Sequence, residues 1–405
     1  MIDVDTMRFV DRYAGQPLCW LLSAIRFAAG GRRRALPPPR KVLIVKFSEM
    51  GSTALAYPAF AELERRIPGL ELVFLTFAPN RPLLDSLGPR GEVFTIDVST
   101  PWRMFRSGLS AVRRLRRERI DTTIDMDFFS RLSAAVAYLV CRGNRVGFHR
   151  FAGEGLGRGS LLTHQVIYSP HIHTSAAFLA LARAAVCPDP QGLNTREAID
   201  ARSLNLPVYR PEPCAVAAVR QRLEESGIPA DARIVLVNPN SSDLFPLRRW
   251  PLVRFAELCS RLIDEDPDIR VVITGTASEE VDARTILERV GNPRCVSFAG
   301  RTSFPELLAL YATARLLITN DSGPAHFAAL LRLPSVVLFG PETPALYGPL
   351  SPNARCLYKH FACSPCVSVY NAKKSPCTRS LCLEAIAVDE VLAVMREALE
   401  TEPAA

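Results

Sequence analysis

From residue 41 onward, short aliphatic runs alternate with segments of helical periodicity, and that alternation leaves few folds open. KVLIVKF (41–47), ELVFLTF (71–77), EVFTID (92–97) and DTTIDMDF (121–128) read as strands, with helices over 52–66 and 102–118 between them. RLSAAVAYLV and the short NRVGF continue the series, and a further helix is predicted over 175–185. ARIVLVN, DIRVVITG, RCVSFAG, ARLLITN and PSVVLFG repeat the pattern, with helices near 251–265, 279–289 and 304–313. Strands this apolar, uninterrupted by hairpin signals in the second half, predict parallel sheets covered on both faces.

A chain of 405 residues exceeds what one core supports, and the Pro-rich, nonperiodic LNLPVYRPEP (204–213) is where it divides. The expected organisation is an α/β chain of two Rossmann-like, doubly wound domains, 41–207 and 208–387, facing each other across a cleft lined by strand-end loops. Residues 1–40 form a basic and apolar extension, and 388–405 a C-terminal crossing helix and tail. The net charge of +8 comes largely from arginine clusters such as RRR (32–34) and RRLRRER (113–119). With neither zinc-finger spacing nor an aromatic-basic RNA signature, the partner expected for that charge is an anionic membrane surface rather than nucleic acid. Eleven cysteines, an odd number in a large chain, suit a reducing cytoplasm. Apolar residues 18–29 are broken by Arg26 and precede the arginines, the reverse of a signal peptide, and they are too few to span a bilayer. Two readings stay open for them: an amphipathic helix at an anionic membrane, or a helix packed on the first domain.

Polar residues collect where strands end. After the run at 316–318 comes the turn NDSG, in which Asp321 brings charge, Ser322 a hydroxyl and Gly323 close backbone approach. His326 follows on the first turn of a short helix, whose N–H groups and dipole suit a phosphate-bearing ligand. The turn 340–343 closes on the same edge. The loop NPNSSDLFPLRRWP (238–251) offers Asn238, Asn240, Ser241 and Ser242 as hydrogen-bonding groups and Arg248 and Arg249 as fixed positive charge. In TGTASEE (274–280), Glu279 or Glu280 is a candidate for ribose hydroxyls, or else a helix-start carboxylate. In the first domain, KFSEMGSTALAYP (46–58) matches neither G-x-G-x-x-G nor the P-loop, which argues against nicotinamide and kinase-like sites. Its one carboxylate is Glu49.

KVLIVKFSEMGSTALAYPAFAELERR, NPNSSDLFPLRRWPLVRFAELCSRL and ITNDSGPAHFAALLRLPSVVLFGPETPALYGP together resemble bacterial glycosyltransferase family 9, the lipopolysaccharide heptosyltransferases, over about residues 41–400. The resemblance implies the GT-B fold and inverting transfer of heptose from an ADP-linked donor to a lipopolysaccharide core or related glycan acceptor, at the cytoplasmic face of the inner membrane. It implies no required cofactor and no catalytic metal. Carried over residue by residue, Arg248 stands where the family has a phosphate-contacting lysine. Asp321, Ser322 and Gly323 stand in its D-[ST]-G donor turn, and His326 matches the histidine after it. Asn240, Ser241, Ser242 and Glu279 complete the expected donor set, and Glu49, Ser52 and Arg248 the catalytic set.

Ser52 is a departure, since the family's catalytic aspartate follows the glycine at that position. A neutral serine cannot accept the acceptor's proton unaided. Three readings remain: Glu49 has taken the role, Asp125 or Asp127 reaches in, or the chain is a catalytically impaired nucleotide-sugar- or glycan-binding protein of the same fold. Cys363, Cys366, Cys377 and Cys382 have spacing that suits structural zinc, a redox-sensitive thiol group or plain reduced thiols, the last being the default. They are expected to lie away from the three polar loops, with Lys373, Lys374 and Arg379 as candidates for lining an acceptor route.

Overall fold

The computed structural model describes residues 2, 4–30, 39–47, 49–88, 91–128, 130–151, 154–155, 157–187, 198–241, 245–369 and 374–400. The chain forms two compact units, Met1–Leu204 and Asn205–Ala405. Each is Rossmann-like, because its central strands are buried on both faces and its crossovers are helical.

The first unit opens with α1 (Val4–Val10), a π-helical turn (Asp11–Gly15) and α2 (Gln16–Ala28). Its strands are β1 (Lys41–Val45), β2 (Glu71–Phe77), β3 (Gly91–Ile96), β4 (Thr122–Asp125), β5 (Asn144–Phe151), β6 (Glu154–Gly155) and β7 (His164–Ile167). They follow the order β3-β2-β1-β4-β5-β6, with β7 also pairing β5; all pairs are parallel except β5 with β6. Between the strands run α3 (Met50–Leu55), α4 (Tyr57–Arg66), α5 (Arg81–Leu87), α6 (Pro101–Leu115) and α7 (Arg131–Val140), and α8 (Thr174–Ala185) follows.

The single helix expected over 52–66 is two helices. Pro58 supplies no N–H and suits a first helical turn, so the chain ends α3 with a tight Ala56 N–H bond to the Thr53 carbonyl (3.2 Å) and starts again at Tyr57. The strand expected over 92–97 begins one residue earlier, at Gly91, where a Cβ would lie 2.0 Å from the Leu72 carbonyl oxygen.

The second unit runs α9 (Pro213–Glu225), β8 (Arg233–Asn238), α10 (Leu252–Glu265), β9 (Ile269–Ile273), α11 (Glu280–Val290), β10 (Cys295–Ser297) and α12 (Phe304–Ala312). It continues with β11 (Leu316–Asn320), α13 (Gly323–Leu330), β12 (Ser335–Phe339), α14 (Pro344–Tyr347), β13 (Ala354–Tyr358), α15 (Leu381–Glu384) and α16 (Val388–Glu400). The sheet is wholly parallel, in the order β10-β9-β8-β11-β12-β13. The last helix, expected to cross the domains, buries Val391, Leu392, Met395 and Ala398 in this unit's own core, beside α10 and the strands. Among the described residues no helix is long and apolar enough to cross a membrane. Arg32, Arg33 and Arg34 lie outside the described residues.

Candidate functional site

In the second unit the strand order reverses between β8 and β11: β9 and β10 extend the sheet to one side, β12 and β13 to the other. Loops leaving such a reversal diverge, and the space between them is where open α/β sheets bind ligands. Asn320, the last residue of β11, staples the two loops together. Its Oδ1 accepts from the Trp250 backbone N–H (3.0 Å) and its Nδ2 donates to the Pro239 carbonyl (2.7 Å). Trp250 itself is fully buried and anchors the loop from below, its ring edge-on to Phe255 and its indole N–H on the Ile386 carbonyl (3.1 Å). Arg249 donates to the Ser241 carbonyl (2.7 Å), so this arginine holds the loop's own shape.

These anchors present Arg248. Its guanidinium Nη1 lies 3.7 Å from Asp321 Oδ2 and 3.8 Å from Glu342 Oε2, with both carboxylates buried. One cation faces two acids, an orientation device with anionic capacity on both sides. Asp321 is fixed by its backbone N–H on the Leu338 carbonyl (2.9 Å), and the Ser322 hydroxyl turns back to the Asn320 carbonyl (3.2 Å). Gly323 then opens α13, with His326 buried on its first turn. Both amide atoms of Asn240 are buried with no hydrogen-bond partner among the described residues. A buried amide left in that state calls for a partner from outside the chain.

Glu342 is the residue here that the sequence pattern did not single out. The signal was available: the turn 340–343 leaves β12, which pairs with β11, so its first carboxylate must fall beside the NDSG turn. Glu279 stands at the start of the helical segment after β9. It closes a capping box with Thr276, its Oε2 accepting that backbone N–H at 2.7 Å, which is the helix-start role. Ser242 lies outside the described residues.

The cysteine segment is not remote from these loops, as expected from sequence, but braces them. Cys366 N–H donates to the Pro341 carbonyl (3.0 Å), Ser364 Oγ to the Gly340 carbonyl (2.5 Å) and Ser380 Oγ to the Leu247 carbonyl. Gly340 is required there, because a Cβ would lie 2.6 Å from Leu383 Cγ. Burial, together with Cys366 and Cys363 nearby, raises the Cys382 thiol above its ordinary range. All four cysteines are unbridged, and among the described residues no three His, Cys, Asp or Glu side chains gather as a metal site. Arg379 pairs with Glu384 (2.5 Å), and Lys373 lies outside the described residues.

The first unit's sheet reverses between β1 and β4. Glu49, at the exit of β1, has φ +66° and ψ 93°, a conformation disfavoured for a residue with a side chain. Its carbonyl accepts from Thr53 N–H (3.0 Å) and from the hydroxyls of Ser52 (3.1 Å) and Thr53 (3.2 Å). Buried Ser52 thus faces back into its own helical turn. Asp127 bridges the reversal, with Oδ2 accepting from Phe47 N–H (2.9 Å) and Oδ1 from Lys46 Nζ (3.4 Å). Asp125 lies deeper still, held by Arg158 and by the Ser133 hydroxyl (2.7 Å), and burial lifts its carboxyl to about 6 against the pull of Arg158. Both aspartates are engaged in holding strand ends.

Two Rossmann-like domains, with polar loops gathered at the strand-order reversals, define a protein of the GT-B fold class. The model of glycosyltransferase family 9 (heptosyltransferase) matches residues 109–375, well over half the chain, and the chain belongs to that family. It is 37% identical over 115 residues to lipopolysaccharide heptosyltransferase 2 of Escherichia coli K12, a match covering 28% of this chain and 32% of that protein. The chain thus spans about a third of that relative's length. Similarity to lipooligosaccharide heptosyltransferase 2 of Haemophilus ducreyi extends further, at 23% identity over 331 residues, 78% of this chain and 87% of the relative. The solved E. coli ADP-heptose lipopolysaccharide heptosyltransferase II shares the fold with a TM-score of 0.67 and 22% identity, covering 89% of this chain and 98% of that one.

Proposed function

We propose that this protein is an inverting glycosyltransferase that moves heptose from an ADP-linked donor to a lipopolysaccharide core or a related glycan on a lipid, at the cytoplasmic face of a membrane. Family membership supports the reaction class, and the names of the relatives support heptose, ADP and the lipopolysaccharide acceptor. The observation that carries the donor assignment is Arg248, steered by Asp321 and Glu342 at the strand-order reversal. There a guanidinium neutralises the charge that develops on a departing diphosphate. The N-terminal N–H groups of α13 and the amide of Asn240 take phosphate or ribose oxygens, and Asp321 accepts from donor hydroxyls. Ser241, Ser322, Gly323 and His326 complete the pocket wall.

Glu49 is the general base of this reading. Ser52 is neutral, and Asp125 and Asp127 are occupied by Arg158, Ser133, Lys46 and Phe47. The unusual backbone of Glu49 costs on the order of 1–3 kcal/mol, and such strain concentrates at functional positions.

Calorimetric titration of ADP and ADP-heptose into the full chain tests the donor site. Arg248→Ala is expected to weaken ADP binding by roughly 10- to 100-fold, the scale of a charge-assisted hydrogen bond. Unchanged affinity removes Arg248 from the site, and no heat from any nucleoside diphosphate or sugar conjugate sinks the reading. ADP release that depends on added acceptor separates a transferase from a binder.

A further inference from the structure

The outward face of α2 has no polar residue. The helix buries Cys19 and Leu22 against Ala134 and Ala135 of α7 and against Leu161. Ser23 Oγ accepts the Ser160 N–H (2.9 Å), Cys19 Sγ donates to the Arg131 carbonyl (3.2 Å) and Arg26 reaches the Ser160 carbonyl. Just upstream, Asp11 caps α7, accepting from Arg131 N–H (2.8 Å) and Leu132 N–H (2.9 Å). One side of the helix is therefore firmly docked. The exposed positions of α2 are Pro17, Trp20, Leu21, Ala24, Ile25, Phe27 and Ala28, which at 100° per residue form one continuous stripe. Trp20 is 58% and Phe27 88% exposed. A helix packed on a domain and otherwise facing water carries charge on its outer side. This one does not.

A second stripe lies across the same helical layer. α7 packs against α2 on one flank and α6 on the other. The outer face of α6 shows Trp102 (64% exposed), Phe105 and Leu109, with exposed Arg103, Arg106 and Arg113 among and beside them. The chain start joins the two stripes, because Ile2 N–H donates to the Val98 carbonyl (3.0 Å), three residues before α6 begins. Exposed Phe9 and Tyr13 pack with ring centroids 4.4 Å apart and planes tilted by 41° on the bridging segment, with exposed Arg12 beside Tyr13.

We infer that the α6–α7–α2 layer is a membrane-docking face that seats Trp20, Leu21, Ile25, Phe27, Trp102 and Phe105 at the headgroup boundary of an anionic bilayer. Exposed tryptophans and aliphatic residues, with exposed arginines along α6 and at Arg12, are the composition of an interfacial surface, and the arginines complement acidic lipid. These charges argue for lipid over an apolar protein partner. This deepens the membrane part of the reading above and rests on it only for its purpose. Docking is measured without donor or acceptor, so its failure leaves transfer untouched.

The test is sedimentation of the full chain with phosphatidylglycerol–phosphatidylcholine vesicles, alongside a Trp20→Ser, Leu21→Ser, Ile25→Ser variant and a Trp102→Ser, Phe105→Ser variant. All five side chains face outward, so circular dichroism is expected to be unchanged. Wild type is expected to pellet with the vesicles and each variant to lose at least roughly tenfold in partitioning, the scale of removing two or three interfacial apolar side chains. Brominated acyl chains are expected to quench Trp20 and Trp102 but not Trp250, which is fully buried. Equal wild-type recovery with and without vesicles at low salt overturns the inference, as does pelleting that both variants retain. Self-association in light scattering that the variants abolish also overturns it, by making a second copy the occupant.

Discussion

Glu49→Gln is expected to lower turnover by roughly 100-fold or more at saturating donor and acceptor, the scale of losing a general base, with ADP affinity and melting temperature unchanged. Attack of a hydroxyl oxygen on the anomeric carbon requires that its proton leave as the bond forms. In the loop after β1, Ser52 donates its own hydroxyl to the Glu49 carbonyl, which leaves Glu49 as the loop's carboxylate. Two companion variants sharpen the measurement. Ser52→Asp returns a carboxylate to the family's position and is expected to restore part of the activity to Glu49→Gln. Glu49→Gly relieves the positive φ and is expected to match or exceed wild-type stability while losing turnover. Steady-state ADP release with full acceptor decides the matter, and normal turnover by Glu49→Gln dismisses Glu49 as base.

Asp127 has a different role in that experiment. Its two oxygens hold the Phe47 backbone and Lys46, so Asp127→Asn disturbs the exit of β1 and acts through loop geometry. Burial raises its carboxyl above the ordinary range, with Lys46 pulling the other way.

What could be read in advance divides along a physical line. Aliphatic runs such as 71–77 and 316–320 need burial on both faces, so their identity as parallel strands followed from composition alone. The NDSG turn and the loop after β8 were legible because Gly, Ser and Asn at strand ends have few other uses. β13 was missed: ARCLY carries an arginine and a cysteine, and as the outermost strand it is only partly buried, so its hydrophobic signal is weak. Glu342 required knowing that β12 lies beside β11, and the bracing of Gly340 by the cysteine segment required the whole return path of the chain. For α2 the sequence left membrane and domain as rivals. The packing of Cys19 and Leu22 satisfies one, while the open stripe through Trp20 and Ile25 supports the other.

Least legible of all was Arg158, which lies 33 residues from its carboxylate partner. Its guanidinium contacts Asp125 Oδ2, the Ser133 hydroxyl (2.9 Å) and the carbonyls of Phe148 (2.6 Å) and Ser130 (2.8 Å), with the arginine 1% and Asp125 0% exposed. One side chain thereby joins the end of β4, the start of α7 and β5, the scaffold beneath the Glu49 loop. Arg158→Met is expected to destabilise the first unit by about 3–5 kcal/mol at neutral pH, because it leaves Asp125 to be buried charged or protonated at a cost and strands two carbonyls. Arg158→Lys falls between, since an ammonium cannot reproduce the planar fork. The pH dependence has a definite sign. Asp125 is already lifted to about 6 with Arg158 present, and loss of the guanidinium lifts it further. A carboxyl raised in the folded state stabilises below its unfolded value and loses that contribution as pH climbs through its folded value. Between pH 4 and 6 wild type and variant lose this contribution together, so the variant's deficit grows only above about pH 6, where the wild-type carboxyl ionises beside Arg158 and the variant's does not, and it is smallest in mild acid. Adding Asp125→Asn to Arg158→Met removes the carboxyl that must be buried charged or protonated at a cost, and should recover part of the loss at pH 7. Denaturant melts at pH 5 and pH 7.5 read both effects, and a deficit that is small or the same at the two pH values would show that the pair is not the clamp on which β4, β5 and α7 depend.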